Sequence, residues 1–427
     1  MKALSRLLLL LWLAIPSVAQ VTIQDSFFGM LVNKPDSFPL KVPVGSVRLW
    51  DTGTNWFQIC PTNGHCDWDH LDKWLATIKS DGIPEVMYTF GKTPDSISSN
   101  PMGKCWQARL GQCYPPRDLN PDGGGSNAAW KDFVHAIVEH NQHLDHSRYA
   151  LIKWWGIWNE PNGHNFWGGT TPQLVRMTKD AREIIKAADP SALILSPEPS
   201  SLTKHGNFHD AGDWLEGYLS AGGGQYIDVV AFHCYANTNN PGDRPYAEDV
   251  LKMVSYVKEK LARHPEVSGK PMWMTEGSWG KTNEANFRDD DSPMAYITRF
   301  YTLLASTGVE RVYWYIYDGN PNDCCGTMWT QGRGELAGAK AYKEMHKWLL
   351  GRTVSHCGPQ GHLWSCDLEG PGYKGKMVWN DEYDKTVTAD AGGFGSYRDV
   401  SGTVAQVGQK TVTVGIKPIL LEAGRGK

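Results

Sequence analysis

The chain has 427 residues, 41% of them hydrophobic and 21% charged, with a formal net charge of −4. That length and apolar content allow one large core with an appendage, and the slightly negative balance argues against nucleic acid or an anionic membrane surface as a partner. The 19 tryptophans are a surplus: an indole offers a flat apolar face and a single N–H donor, which suits the apolar C–H face of a sugar ring.

The chain begins MKALSRLLLLLWLAIPSVAQ. Lys2 and Arg6 form a basic start, residues 7–15 are an apolar stretch too short to span a bilayer, and Ser17-Val18-Ala19 resembles a small-residue cleavage site. The expectation is a signal peptide over 1–19, export to the periplasm or the medium, and no membrane insertion. Eight apolar, β-rich runs follow in order: FFGMLV (27–32), SVRLW (46–50), PEVMYTF (84–90), LIKWWGIW (151–158), ALILS (192–196), IDVVAFHCY (227–235), PMWMTEG (271–277) and RVYWYIY (311–317). Continuous apolar runs without clean alternation suit strands buried on both faces, as in a parallel sheet.

Helical periodicity fills the gaps. DHLDKWLATIKSDG places Leu71, Trp74, Leu75 and Ile78 on one face and stops at Gly82. TPQLVRMTKDAREIIKAADP offers Thr171 as a cap, Pro172 in the first turn and Pro190 as a stop. Only the stretch between the first two strands, NKPDSFPLKVPVG, lacks a helix pattern. Eight strands with helical crossovers predict a (β/α)8 TIM barrel over residues 20–350. After Gly351 the texture changes to alternating segments such as HLWSCDLE, KMVWN and TVTVGIKPILLE. These predict a small C-terminal, sandwich-like β appendage over 351–427. Its expected part is structural, with carbohydrate binding as the alternative.

The 9 cysteines fit an oxidising compartment. Cys60 with Cys66, Cys105 with Cys113, and Cys357 with Cys366 are close enough in sequence to staple short loops. Adjacent Cys324 and Cys325 either bridge to each other or pair elsewhere, and Cys234, within an apolar run, reads as a buried free thiol. No paired short Cys/His spacing suggests a metal, and no cofactor is implied.

Catalytic groups of such a barrel sit at the C-terminal ends of its strands. Five carboxylates fall there: Asp51, Glu160, Glu198, Glu276 and Asp318. Glu160 lies in KWWGIWNEPNGHNFWGG, among Trp154, Trp155, Trp158 and Trp167, whose rings are expected to wall a pocket and raise a carboxyl pKa. Glu276, in WMTEGSW, is the preferred partner, with Gly277 expected to relax the turn beside it. Composition alone does not choose it over Glu198. Two carboxylates flanking one bond are what glycosidic hydrolysis requires.

The motif IWNEPNGHNFWGG resembles the strand-four motif of clan A glycoside hydrolases, and WMTEGSWG resembles that clan's strand-seven motif. Arg48 in VRLW, His233 and Tyr235 in FHCY, and Trp314 in VYWY match further elements in the right strand order, over roughly residues 27–345. The pattern is most similar to glycoside hydrolase family 39 and its relatives, although the weak first crossover departs from it. The resemblance implies a retaining β-glycoside hydrolase acting on an oligo- or polysaccharide. Glu160 would be the acid/base and Glu276 the nucleophile. Asn159 would contact the sugar 2-hydroxyl, Arg48 and Tyr235 would attend the nucleophile, and Trp314 would line the sugar site. His233 is either part of the site or a satisfied core histidine. Trp56, His65, His164, Trp167 and Trp279 are further candidates for the lining. Alternatives are a transglycosylase using the same pair and a catalytically decayed, carbohydrate-binding barrel.

Overall fold

The structure is a computed structural model that describes residues 21–62, 64–105, 109–200, 210–236, 246–280, 289–319 and 325–423. The expected signal peptide and Cys324 lie outside the described residues. All eight apolar runs contain a strand: β1 Phe28–Leu31, β2 Ser46–Leu49, β3 Glu85–Thr89, β4 Ile152–Gly156, β5 Leu193–Leu195, β6 Val230–His233, β7 Met272–Gly277 and β8 Arg311–Trp314. They form one parallel sheet in the order β5-β4-β3-β2-β1-β8-β7-β6. A single parallel bridge, Leu195 to Val229, closes the ring between β5 and β6.

Helices follow every strand but the first. A short α1 (Trp56–Ile59) and α2 (Asp69–Ser80) come after β2, then α3 (Ala128–His143), α4 (Thr171–Ala188), α5 (Ala211–Ser220), α6 (Asp249–Leu261), α7 (Asp291–Ser306) and α8 (Ala337–Leu349). Four apolar residues of α2, Leu71, Trp74, Leu75 and Ile78, are buried, as the periodicity requires. The cap of α4 is Thr170 rather than Thr171. Its hydroxyl accepts from the Gln173 N–H, and the Gln173 side chain returns to the Thr170 backbone, a reciprocal capping box.

The missing first helix has a packing explanation. The outer face of β1 is already covered by the last two helices: Phe28 lies 4.3 Å from His346, 6.2 Å from Tyr342 and 5.9 Å from Tyr301, ring centre to ring centre. The β1–β2 connection makes only a 3-10 turn, Pro35–Ser37. Asp318, just past β8, pins it by accepting from Asn33 N–H (2.7 Å), Lys34 N–H (2.9 Å) and Ser37 Oγ (2.6 Å). That bonding makes Asp318 a fastening of the barrel rather than a free carboxylate at its mouth.

The C-terminal unit is antiparallel. Before it, β9 (Trp329–Thr330) and β10 (Gly334–Glu335) form a small hairpin; then come β11 (Thr353–Gln360), β12 (Leu363–Gly370), β13 (Tyr373–Asn380), β14 (Val387–Asp390), β15 (Ser396–Asp399), β16 (Val404–Gln406), β17 (Thr411–Val414) and β18 (Ile419–Glu422). Six strands join in the order β11-β12-β13-β18-β15-β16, and β14 pairs with β17. Strand β11 escaped the sequence reading because a register shift between Ser355 and Gly358 breaks its alternation. The sheet shares the barrel's core. Trp364 and Trp379 stack 5.9 Å apart and are buried, and Trp379 Nε1–H donates to buried Glu248 at 2.7 Å, which also pairs with Arg299. These two indoles therefore offer no open face to a sugar.

Disulfides Cys60–Cys66, Cys105–Cys113 and Cys357–Cys366 are present. Cys325 is also disulfide-bonded, and Cys234 is a buried free thiol. Among the described residues no helix is long and apolar enough to cross a membrane.

Candidate active site

The chemistry-bearing residues converge at one end of the barrel because the backbone ladder continues past the strand ends. Glu198 N–H donates to Trp158 O at 2.9 Å, and Glu160 N–H donates to Glu198 O at 2.9 Å. Asn162 clamps the turn that follows, exchanging hydrogen bonds with Ser200 N–H (3.0 Å) and Ser200 O (2.6 Å). Glu160 itself sits in the left-handed region, φ 46°, a conformation that a non-glycine residue holds only when its surroundings impose it. A register shift between Phe232 and His233 brings His233 opposite Glu276 on β7.

Two glycines are required by close approach. A Cβ on Gly156 would stand 2.0 Å from Glu198 Oε1, and one on Gly277 would stand 2.1 Å from the Cys234 carbonyl oxygen. Gly277 thus serves the contact between β6 and β7, not the relaxed turn expected from the sequence.

Arg48 on β2 is the hub. Its Nη1 donates to Glu276 at 2.8 Å, its Nη2 to Asn159 Oδ1 at 2.7 Å and to Glu198 at 2.5 Å, and its Nε to Thr89 at 3.0 Å. The guanidinium is fully buried, and with its Oδ1 taken, Asn159 keeps its amide NH2 as a donor. Glu276 is held from the other side by Tyr235, whose hydroxyl donates at 2.5 Å. His233 lies between the acids: Nδ1 is 3.0 Å from Glu160 and 3.8 Å from Glu276, and Nε2 is 3.4 Å from Glu198. One oxygen each of Glu160 and Glu276, and a ring nitrogen of His233, lie within 4.8 Å of one another.

The electrostatics follow from burial and these partners. Burial alone would lower the His233 pKa, but the Glu276 charge and hydrogen bonds to Glu160 and Glu198 outweigh it and raise it to about 9. The ring is therefore a cation at neutral pH, donating from both nitrogens. Burial would raise the Glu198 carboxyl, yet the charge of Arg48 and the His233 bond hold it below the ordinary carboxylate range. Burial pushes Glu276 up, against the pull of His233 and Arg48 and with a further push from Glu160.

Glu160, His233 and Glu276 are the one group of three potential metal ligands among the described residues. A metal ion there would face the Arg48 and His233 charges, so the donor set suits proton transfer better than a metal.

Substitution of Glu198 by Gln should remove a negative charge that both cations, Arg48 and His233, are paired with. We expect the His233 pKa, read from its ring protons by NMR, to fall from about 9, and stability to drop by about 3 kcal/mol in urea titration, since one member of a buried ion pair is lost. Relative to an unfolded histidine near 6.5, the raised pKa stabilises the fold fully below that pH and is lost as pH climbs through about 9. The variant's deficit should therefore be larger at pH 6 than at pH 9.5; a uniform deficit would contradict the assignment.

Several expected lining residues lie elsewhere. Successive side chains of a strand alternate between faces. Tyr313 and Tyr315 take the barrel interior, so Trp314 turns outward and is fully buried, packed 5.5 Å from Phe300 and 6.0 Å from Tyr301, both of α7. Trp279 is buried beside it, 5.0 Å away. Trp167 is buried against Trp158 at 5.0 Å, and Trp56 stacks on Phe133. Of the strand-four tryptophans, Trp154 packs into the interior against Trp273, and Trp155 stacks outward on Phe90. The pocket wall of four indoles around Glu160 does not form. His65 and His164 are exposed. Besides Tyr235, Tyr315 reaches the mouth, half-buried, with its hydroxyl 3.3 Å from Asp51. Asp51, also left-handed at φ 58°, keeps 41% of its side chain exposed. Tyr315 and Thr89 escaped the sequence reading; period-two counting from Tyr313 would have found the first.

Comparison with known proteins bears on the fold and on the catalytic core. Residues 129–337 match the family model described as the glycosyl hydrolase catalytic core. No curated protein matches the chain. Among solved structures, a family 39 glycoside hydrolase from Bacteroides cellulosilyticus WH2 superposes with a TM-score of 0.68 at 16% identity, covering 94% of this chain and 82% of that one. A monomeric β-xylosidase from Caulobacter crescentus CB15 gives 0.62 at 15% identity, covering 94% and 97%. A family 51 arabinofuranosidase from Xanthomonas axonopodis pv. citri gives 0.60 at 9% identity, again covering 94% and 97%. At these identities the shared feature is the barrel.

Proposed function

We propose that this chain, a glycoside hydrolase by its catalytic core, cleaves β-glycosidic bonds of oligo- or polysaccharides with net retention, in two displacements. The carrying observation is the separation of its two mouth carboxylates, whose nearest oxygens lie within 4.8 Å. A pair roughly 5–5.5 Å apart leaves no room for a water and forces one acid to attack directly, whereas an inverting pair stands roughly 6.5–9.5 Å apart. Glu276 is the nucleophile, oriented by Arg48 and Tyr235. Glu160 is the acid/base. Arg48 and protonated His233 balance the charges of Glu198 and Glu276.

In the first step Glu160 protonates the departing oxygen while Glu276 bonds to the anomeric carbon. In the second, Glu160 takes a proton from water, which displaces Glu276 and restores the original configuration. Asn159, fixed by Arg48, offers its NH2 to the sugar 2-hydroxyl. Catalysis belongs to residues 20–350, with 351–427 as a supporting β unit. Three disulfides and the basic-apolar start of the sequence support export to the periplasm or the medium. Proton NMR of the first-formed sugar tests the reading: the substrate's anomeric configuration is expected, and inverted product rejects Glu276 as the nucleophile.

A further inference from the structure

Two cations at the barrel mouth have no task in this mechanism. Lys92 follows β3, and its ammonium lies 5.1 Å from the centre of the Trp50 ring. The Arg48 guanidinium lies 5.9 Å from the same ring, so one indole links Lys92 to the hub that holds Glu276. The Lys92 side chain is only 15% exposed, and its nearest acid, Asp51, is 3.9 Å away, beyond hydrogen-bond reach. Arg109, in the loop stapled by Cys105–Cys113, lies over Phe57 at 5.2 Å and forms no ion pair among the described residues. Both cations line the same two adjoining hollows. One includes Trp158, Asn159 and Gln112, where the buried Gln112 Oε1 lacks a donor. The other includes Asp51 and Tyr315.

A desolvated ammonium without a hydrogen-bonded acceptor is costly. Burial and the neighbouring Arg109 charge lower the Lys92 pKa, and Asp51 only partly offsets them. A ligand anion would satisfy both cations at once, while neutral hydroxyls would leave the charges unmatched. We propose that the cleft takes a sugar unit bearing an anionic substituent, a uronate carboxylate or a sulfate ester, bound by Lys92 and Arg109 beside the Asn159–Glu160 strand end. This rests on the glycosidase reading and narrows its substrate class.

Binding at low ionic strength tests it without requiring turnover. Glucuronic acid, galacturonic acid and glucose 6-sulfate are titrated against glucose and galactose by NMR, with wild-type protein and the Lys92→Met, Arg109→Met and Lys92→Arg variants. An anionic sugar should bind roughly tenfold or more tightly than its neutral counterpart. The preference should collapse in Lys92→Met and Arg109→Met and persist in Lys92→Arg. Uronates alone showing it identify the carboxylate, glucose 6-sulfate alone identifies the sulfate ester, and both together identify charge as what is read. Equal binding of neutral and anionic sugars overturns the proposal, as does a preference that survives both methionine variants or inorganic sulfate binding as tightly as the sugars. The glycosidase reading fails separately, if a 2-fluoroglycoside panel spanning neutral and uronic sugars leaves Glu276 unlabelled.

Discussion

Glu276→Ala should lower turnover by roughly 10⁴–10⁶-fold on every substrate, because the first bond-forming atom is gone. That is about 5–8 kcal/mol of barrier. The loss cannot be compensated by Glu198: it is fully buried beneath Arg48 and hydrogen-bonded to Thr89, His233 and Arg48. Truncation also leaves a space flanked by Arg48 and Tyr235, which suits a small anion. Added azide should therefore restore part of the activity on a substrate with a good leaving group, by a single attack from the nucleophile's side. The product should be a glycosyl azide of inverted configuration, identified by NMR. A retained azide, or wild-type turnover in the variant, would assign the nucleophile elsewhere.

Glu160→Ala should behave differently. Hydrolysis of substrates with poor leaving groups should fall roughly 10²–10⁴-fold, since they need protonation. Aryl glycosides with acidic phenols should form the glycosyl-enzyme at near-normal rates and then stall, and azide should release a glycosyl azide of retained configuration. The pH profile adds a signed test. The acid limb belongs to Glu276, whose pKa is raised first by burial and, among other causes, by the Glu160 charge. Removing that charge should shift the acid limb to lower pH. A shift to higher pH would contradict the proximity of the two carboxylates.

The barrel was legible because its strands are buried on both faces and read as unbroken apolar runs, while its helices carry one apolar stripe each. The absent first helix was legible too, as the proline-rich stretch before β2, but not its reason, which lies in α7 and α8 covering Phe28 from the far end of the barrel chain. The local cysteine pairs followed from spacing, because a short loop leaves few choices.

By itself the sequence determined the number and order of the barrel strands, the carboxylates at their ends, and the residue types around them. The tertiary structure alone decided which of those carboxylates stand together. Arg48 meets Glu198 and Glu276 across 150 and 228 residues of chain, a coincidence that ring closure creates and no local pattern encodes. It also decided which aromatic rings face the cleft. Alternation along β8 sends Trp314 outward and Tyr315 inward, and the phase of that alternation is set by how the strand seats against its neighbours. Five carboxylates at strand ends thus resolve into a fastening at Asp318, an exposed rim at Asp51, a buried support at Glu198 and a facing pair at Glu160 and Glu276. Depth and partners, which arise only on packing, make that division.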